Sequence, residues 1–171
     1  MITYRNIALS DHQAIEDFDL RQDDHGEIFC KDELDEIFTR ENSFVVYQAF
    51  VAVDGEAIVG YILCMIPKDY PKQRHILRCV VDKDHRRQGI GSELISRLEP
   101  QEVGHKVTIE VAHEEYSELA FLRSNGYTIT SMVEDEYSEE GELEMEGYFI
   151  LTNEKKPPME LAQRLKWRMK K

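Results

Sequence analysis

The chain has 171 residues and a formal net charge of −13 at pH 7, with 42% hydrophobic and 32% charged residues. This length and balance predict one domain, residues 1–171, that buries a single core. The sequence has no apolar run of membrane-spanning length and no secretion signal, so we expect a cytoplasmic protein without a membrane partner. The negative charge also disfavours nucleic acid as a partner, because it repels the phosphate backbone.

The charge is unevenly distributed along the chain. Residues 11–41 hold twelve Asp and Glu against three Lys and Arg, whereas residues 72–87 hold six Lys and Arg. An acidic surface favours cationic ligands, and the basic stretch lies where an anion would bind. The three cysteines, Cys30, Cys64 and Cys79, are odd in number and widely spaced, which favours neither a disulfide framework nor a metal site.

Apolar periodicity predicts a mixed α/β chain. Strands are predicted at 2–9, 44–55, 56–66, 74–82, 106–112, 127–137 and 143–154, and helices from Ser10 or Asp11 through Leu20, at 31–42, from Ile90 to Leu98, at 116–126 and at 157–171. Asp54-Gly55 is a hairpin signal, and Gly126 is a helix stop. The last helix, at 157–171, is basic.

A glycine turn follows the fourth predicted strand. The sequence Arg86-Arg87-Gln88-Gly89-Ile90-Gly91 leads from that strand into an amphipathic helix. Helix N-termini carry unpaired amides and a partial positive charge, and glycines let a ligand approach the backbone, so the turn predicts an anion site. Leu94 replaces the third glycine of a dinucleotide fingerprint, and no Gly-Lys-Ser/Thr follows. The alternative is a strand–turn–helix connection that needs glycines only for its conformation.

This turn resembles the acetyl-CoA signature Arg/Gln-x-x-Gly-x-Gly/Ala of the GCN5-related N-acetyltransferase (GNAT) superfamily. Downstream, Glu110-Val111 followed by LAFLRSNGYT is similar to the family's later strand and helix motif. The resemblance implies a GNAT fold, with a mixed, mostly antiparallel twisted sheet of six to seven strands, splayed at its centre and flanked by helices. It also implies acetyl-CoA as cofactor and a homodimer, which family members often form. The sequence contains no HExxH motif and no clustered His, Cys and Asp spacing, so we expect no metal.

The resemblance assigns the cofactor-binding positions. Main-chain groups of the fourth strand would pair with the pantetheine arm, turn amides would hold the pyrophosphate, and the second helix would lie near the cofactor. The implied residues are Val80, Val81, Arg86, Arg87, Gln88, Gly89, Ile90, Gly91, Ser92, Arg123 and Asn125.

The catalytic positions depart from the family pattern. The Tyr that many members use as thiolate acid, four residues before the glycine of the second motif, is Leu122 here, and the family's Asn is Glu115. His75 occupies a position where some relatives carry a glutamate base, and Glu110 and His113, which flank the second splayed strand, compete with it. The catalytic candidates are His75, Glu110 and Ser117. Each has a simpler explanation: a surface histidine, an outward-facing carboxylate and a helix cap. Cys79, in an apolar strand, is more simply a small hydrophobe than a nucleophile.

We therefore expect an acetyl-CoA-dependent N-acetyltransferase that transfers acetyl directly to a primary amine. The region shaping the acceptor cleft in this fold is acidic here, with Asp17, Asp23, Asp24 and Glu27, which favours a cationic acceptor such as a polyamine, an amino sugar or a protein amine. These carboxylates could equally face water. The alternative function is a non-catalytic acyl-CoA-binding or regulatory domain, which Leu122 permits.

Overall fold

The protein forms a seven-stranded sheet with helices on both faces, seen in a computed structural model that describes residues 1–22, 29–39, 44–98, 104–139 and 142–154. The strands are β1 (Ile2–Asn6), β2 (Val45–Asp54), β3 (Ala57–Pro67), β4 (Gln73–Val81), β5 (Lys106–Ala112), β6 (Thr128–Glu139) and β7 (Glu142–Glu154). The helices are α1 (His12–Arg21), α2 (Lys31–Thr39), α3 (Ile90–Leu98) and α4 (Tyr116–Ser124), with 3₁₀ turns at Leu9–Asp11 and Lys83–His85. None of the described helices is long and apolar enough to cross a membrane.

The sheet has the order β1-β2-β3-β4-β5-β7-β6 and is antiparallel except at its centre. There β4 and β5 run parallel, in register from Gln73 opposite Lys106 to Ile76 opposite Ile109. The glycine turn and α3 form the crossover between these two strands, as parallel pairing requires. The predicted mixed, mostly antiparallel sheet flanked by helices is confirmed.

Two apolar clusters cover the two faces of the sheet. One joins α3 and α4 to the sheet and contains Val59, Ile62, Ile76, Ile90, Leu94, Ile95, Val107, Val111, Leu122 and Leu151. The other joins α1 and α2 to the opposite face and contains Ile15, Phe18, Leu34, Val51, Val53, Tyr61, Leu63 and Val80. Adjacent strand residues alternate between the two clusters, so each strand position can be assigned a face.

The first 20 residues differ from the sequence prediction. Strand β1 ends at Asn6, and a 3₁₀ turn that contains Ser10 precedes α1. Asp11 makes no side-chain cap on α1; its carboxylate accepts from the Ala8 amide at 2.8 Å and pairs with Arg5. Leu20 is exposed. A charged pair with Arg5 outcompetes helix capping for this carboxylate, which sequence spacing alone does not reveal.

The other boundaries agree closely with the prediction. The hairpin turns at Asp54-Gly55, and Gly126, with φ of 89°, follows the end of α4. The predicted second helix ends at Thr39, and its last residues, 40–42, lie outside the described part of the chain. The predicted helix at 157–171 also lies outside it.

A buried polar cluster links α1 to the centre of the sheet. The Tyr61 hydroxyl donates to Asp19 Oδ2 at 2.6 Å, and Arg78 Nη2 lies 3.6 Å from Asp19 Oδ1. Burial raises the pKa of Asp19, while the Tyr61 hydrogen bond and the Arg78 charge oppose that rise. Because Asp19 is only 2% exposed, its carboxylate depends on these two partners and on the Phe29 main-chain amide for stabilisation.

We expect Tyr61→Phe to destabilise the protein by about 1–3 kcal/mol, because it leaves a buried carboxylate oxygen without its hydroxyl donor. Urea denaturation measures the free energy of unfolding. Tyr70→Phe is the matched control, since Tyr70 is 62% exposed. Equal stability of the two variants would show that the Tyr61 hydroxyl contributes nothing to holding α1 on the sheet.

Candidate active site

A gap opens between β4 and β5 where their pairing stops. The ladder ends at Ile76 opposite Ile109, and the next residues, Leu77 and Glu110, are unpaired with each other. A β-bulge also lies at Leu77. Leu63 of β3 pairs with Arg78 and the adjacent Cys64 pairs with Ile76, so Leu77 between them has no partner on β3. Bulges bend a strand and increase its local twist. The bend thus coincides with the divergence of the two central strands.

The edge of β4 that faces this gap presents main-chain groups. The Asp82 amide donates to the Val59 carbonyl at 2.9 Å, and Val80 is in register with Tyr61, so both point their main-chain groups towards β3. By alternation, Cys79 and Val81 point theirs towards the gap. Of the two residues expected to pair with a pantetheine arm, Val81 points its main-chain groups towards the gap and Val80 points them towards β3.

Arg86 contacts this same edge. Its Nε donates to the Val81 carbonyl at 3.0 Å. The sequence resemblance assigns Arg86 to phosphate binding, and the structure places its guanidinium on the main chain that leads into the glycine turn.

The glycine turn has a conformation that only glycine adopts readily. Gly89 has φ of 82°, and a Cβ built on it would have no heavy atom within 4 Å, so this side of the turn is open space. Gly91 differs, because a Cβ there would lie 2.9 Å from Cζ of Phe121 on α4. Thus Gly89 leaves room for a ligand, and Gly91 allows α4 to approach the start of α3.

The first turn of α3 has free amide donors. Intrahelical bonding begins with the Glu93 amide, which donates to the Gly89 carbonyl at 3.0 Å. Within the described part of the chain, the amides of Ile90, Gly91 and Ser92 have no backbone acceptor, as expected for a helix N-terminus. Arg87 and Gln88 are exposed beside them. Open space, free amides and nearby positive charge fit the phosphates of CoA.

The α4 residues assigned to the cofactor have different surroundings. Arg123 is exposed on the last turn of α4. The Asn125 side-chain amide donates to the Phe121 carbonyl at 2.9 Å, so it caps the end of the helix. This cap occupies one donor of Asn125, and Arg123 is the freer of the two for a cofactor contact.

His75 lies on the last paired part of the β4–β5 ladder. It is half-buried, opposite Thr108, and its Nδ1 lies 2.6 Å from Thr108 Oγ1. Since Val107 and Ile109 pack in the α3–α4 cluster, Thr108 and Glu110 point to the opposite face, which α1 and α2 cover. His75 therefore stands at the entrance of the gap on the α1–α2 face.

The other two catalytic candidates are solvent-exposed. Glu110 lies on β5 at the mouth of the gap, opposite Ile150 of β7. Ser117 is the second residue of α4, whose N-cap is Glu115, so the alternative interpretation of Ser117 as a helix cap was wrong. The structure brings His75 and Glu110 to one face of adjacent strands and leaves Ser117 on a separate element.

Leu122 and Cys79 are parts of the apolar core. Leu122 is 2% exposed, so the position that holds a thiolate acid in many relatives serves packing here. Burial, followed by the charge of Glu118, raises the pKa of the Cys79 thiol to about 12. A thiol with this pKa has very little thiolate at neutral pH, which disfavours an acetyl-cysteine step.

Most described carboxylates of α1 and α2 are bound within the protein. Asp35 contacts Lys31 and His12, the Glu16 side chain accepts from the Lys31 amide, and Asp19 lies in the buried cluster with Tyr61. Asp17 is exposed and accepts from Gln13. Asp23, Asp24 and Glu27 lie outside the described residues. The acidic composition of the two helices thus serves largely to join them.

Three features of the site were missed at the sequence level. Thr108 contacts His75, Phe121 packs on Gly91, and the Tyr61–Asp19–Arg78 cluster lies beneath α1. The available signal was a polar residue inside an apolar strand, as for Thr108 in VTIEVA and Arg78 in HILRCVV. Each contact depends on register between segments at least 30 residues apart, which one sequence does not supply.

Comparisons with known proteins agree with this architecture. Residues 9–127 match the family model described as the acetyltransferase (GNAT) family. The chain belongs to this family of acetyltransferases. A comparison with curated protein sequences gave no match. In the described part of the chain, no group of three or more His, Cys, Asp or Glu side chains is placed to hold a metal ion.

Several solved structures share the fold at low sequence identity. The ribosomal-protein-S18-alanine N-acetyltransferase of Escherichia coli matches with a TM-score of 0.70 and 16% identity, over 94% of this chain and 98% of that one. NAA60 of Arabidopsis thaliana, in complex with a bisubstrate analogue, matches with a TM-score of 0.68 and 14% identity, over 90% of this chain and 98% of that one. A chimaera of the spermidine N-acetyltransferase SpeG from Vibrio cholerae and hSSAT matches with a TM-score of 0.69 and 16% identity, over 90% of this chain and 95% of that one.

Proposed function

We propose that this protein transfers the acetyl group of acetyl-CoA directly to a primary amine of an acceptor. The observation that carries the proposal is the continuity of two binding features, the open edge of β4 at Cys79 and Val81 and the free amides at the start of α3. An extended pantetheine arm requires an open strand edge, and the pyrophosphate that follows it requires amide donors. The chain offers the two features side by side in the same order. The proposal treats residues 1–171 as one catalytic domain.

The cofactor would be held mainly by main-chain groups. The amides from Gln88 to Ser92 would bind the pyrophosphate, with Arg87 and Arg86 adding charge-assisted hydrogen bonds. The Val81 amide and the Cys79 carbonyl would pair with the pantetheine arm as an added strand, since Arg86 already occupies the Val81 carbonyl. Arg123 would contact the cofactor from α4. These donors are fixed by the fold, so binding would require little reorganisation.

Acetyl-CoA supplies the acetyl group as a thioester. In this proposal His75 takes a proton from the acceptor ammonium at Nε2, which frees the amine lone pair to form the new C–N bond. The Cys79 amide, pointing into the gap, donates to the negative charge that develops on the carbonyl oxygen. The amine loses its second proton as the amide forms. This proton reaches the departing thiolate through water, or through the Ser117 hydroxyl, which gives its own proton to the thiolate and takes the proton of the amine in return. The proton held by His75 then passes to solvent.

The acceptor is inferred to be cationic, such as a polyamine, an amino sugar or a protein amine. The net charge of −13 supports this inference by attracting cations. The described carboxylates of α1 and α2 support it less, because several are bound to Lys31, His12 and Tyr61. The spermidine and S18-alanine acetyltransferases that share the fold represent two such acceptor classes.

A second function is favoured by one observation. Leu122 is buried where many relatives have a tyrosine acid, so a domain that binds acyl-CoA without transferring the acyl group is the alternative. It uses the same cofactor contacts and differs only in having no acceptor-dependent turnover.

Two further properties belong to the proposal. The three cysteines, Cys30, Cys64 and Cys79, are free thiols, which supports a reducing compartment such as the cytoplasm. The protein is also inferred to form a homodimer. The edge strand β6, where Ile129 and Met132 are exposed, would supply its interface.

We expect release of CoA thiol from acetyl-CoA when a suitable amine is added. The measurement is a spectrophotometric thiol assay over polyamines, amino sugars and peptides with free N-termini or lysines, with mass spectrometry of the acetylated product. Tight CoA binding by calorimetry without amine-dependent release at any pH would favour the non-catalytic alternative.

Gly89→Val should raise the CoA dissociation constant at least about tenfold, because a β-branched residue resists positive φ and its side chain would enter the open space beside the amides. Gly104→Val is the matched control, since Gly104 has φ of 84° and likewise nothing within 4 Å of a built Cβ. Calorimetric titration with CoA measures both variants. Equal affinities would refute the assignment of the phosphates to this turn.

His75→Gln should lower kcat by about 10²–10⁴-fold, because a glutamine amide cannot accept a proton from the acceptor ammonium. Glu110→Gln, tested in parallel with the same thiol assay, should keep the wild-type kcat. The opposite pattern, with kcat lost only in Glu110→Gln, would transfer the role of base to Glu110.

A further inference from the structure

We propose that Thr108 is a positioning residue that fixes the proton of the His75 ring on Nδ1 and thereby keeps Nε2 as the proton-accepting atom. This inference deepens the proposed function and rests on it for its catalytic consequence. The arrangement of hydrogen bonds that supports it does not depend on that function.

The Thr108 hydroxyl contacts two groups on β4. Its Oγ1 lies 3.2 Å from the Arg74 carbonyl oxygen and 2.6 Å from His75 Nδ1. A carbonyl oxygen can only accept, and the hydroxyl has a single proton to donate. Both hydrogen bonds form together only when the hydroxyl donates to Arg74 and accepts from a protonated Nδ1. In the neutral ring, the lone pair is then on Nε2.

The strands that carry these groups are held in fixed register. Gln73–Ile76 of β4 pair with Lys106–Ile109 of β5, and Thr108 lies directly opposite His75. Both strands are paired on their other sides, where His75 lies opposite Met65 of β3 and Thr108 lies opposite Thr152 of β7. A hydroxyl on such a strand keeps its position relative to the ring, so it can hold one tautomer and one ring orientation.

Among the groups around His75, Thr108 is the one placed to determine the tautomer of the ring. On the α1–α2 face, the charged side chains of β4 and β5 nearest in sequence are Arg78, Lys106 and Glu110. Arg78 lies beside Asp19, at 3.6 Å, and Lys106 and Glu110 are exposed on either side of Thr108. On β3 the residue opposite His75 is the uncharged Met65. Among the described residues, Thr108 is the hydrogen-bond partner that the structure gives to Nδ1.

The alternative hypothesis is that Thr108 only stabilises the pairing of the strands. Thr130 on β6 provides the control for it. Thr130 Oγ1 also lies 3.2 Å from a carbonyl oxygen of the neighbouring strand, that of Ile150, and 2.9 Å from the Thr152 hydroxyl. It has no histidine beside it in the described structure. Thr130→Val therefore removes a cross-strand hydroxyl with the same chemistry from the edge strand β6, two strands away from Thr108.

The test compares Thr108→Val, Thr108→Ser and Thr130→Val with the wild type. We expect Thr108→Val to lower kcat by about 10-fold or more with little change in KM for acetyl-CoA, because a misoriented base slows proton transfer without altering cofactor binding. Thr108→Ser should restore kcat, since it keeps the hydroxyl. Thr130→Val should retain the wild-type kcat.

A second readout is independent of activity. Long-range ¹H–¹⁵N NMR correlations of the neutral His75 ring, assigned with His75→Gln, report which nitrogen carries the proton. We expect the Nδ1–H form in the wild type and in Thr108→Ser, and a shift towards the Nε2–H form in Thr108→Val. An unchanged tautomer in Thr108→Val, or an equal loss of kcat in Thr130→Val, would overturn the positioning role. If the wild type shows no acetyl transfer, the proposed function fails, and the NMR result alone decides the role of Thr108.

Discussion

The structure depends on one interruption of backbone hydrogen bonding, the end of the parallel ladder between β4 and β5. On one side of it, β4 is held by β3, and on the other side β5 is held by β7. Each half of the sheet is thus an antiparallel unit, joined to the other by the short stretch from Gln73–Lys106 to Ile76–Ile109. Beyond Ile76 the facing main-chain groups lack a strand partner, and such groups require another partner or water. That requirement makes the gap suitable for an extended ligand.

The helices keep the two halves together despite the gap. The α3–α4 cluster contains residues of β3 and β4, such as Ile62 and Ile76, together with residues of β5 and β7, such as Val107 and Leu151. Leu122 of α4 lies in this cluster. The close contact of Gly91 with Phe121 joins the start of α3 to α4, so the orientation of the amides in the glycine turn depends on the packing of α4. Core packing and the cofactor site are therefore parts of one arrangement.

Local signals account for what could be predicted from the sequence. Apolar alternation located the strands, Asp54-Gly55 located the hairpin, and the glycines at 89, 91 and 126 located the turns. These signals lie within a few residues of one another. The motif resemblance implied a mixed, mostly antiparallel sheet splayed at its centre, which local patterns do not contain, and the expected cofactor positions were also implied by it.

Competition between possible partners accounts for what was missed. Asp11 bonds Arg5 and the Ala8 amide instead of capping α1, and Asp35 bonds Lys31 and His12. In both cases an acidic residue had several suitable partners nearby, and only the three-dimensional arrangement selects among them. Composition indicated an acidic surface, while Asp11, Asp19 and Asp35 form ion pairs within the described structure.

The same reasoning explains an asymmetry in the proposed chemistry. The candidate base, His75, stands on the last paired residues of β4, where pairing with β3 and β5 on both edges limits its motion. The usual location of the acid, on α4, is occupied by the buried Leu122. A thiolate needs an acid less than an ammonium needs a base, because water can protonate a departing thiolate, whereas a protonated amine has no lone pair for attack. Losing the acid to core packing is therefore compatible with catalysis, and losing the orientation of His75 would not be.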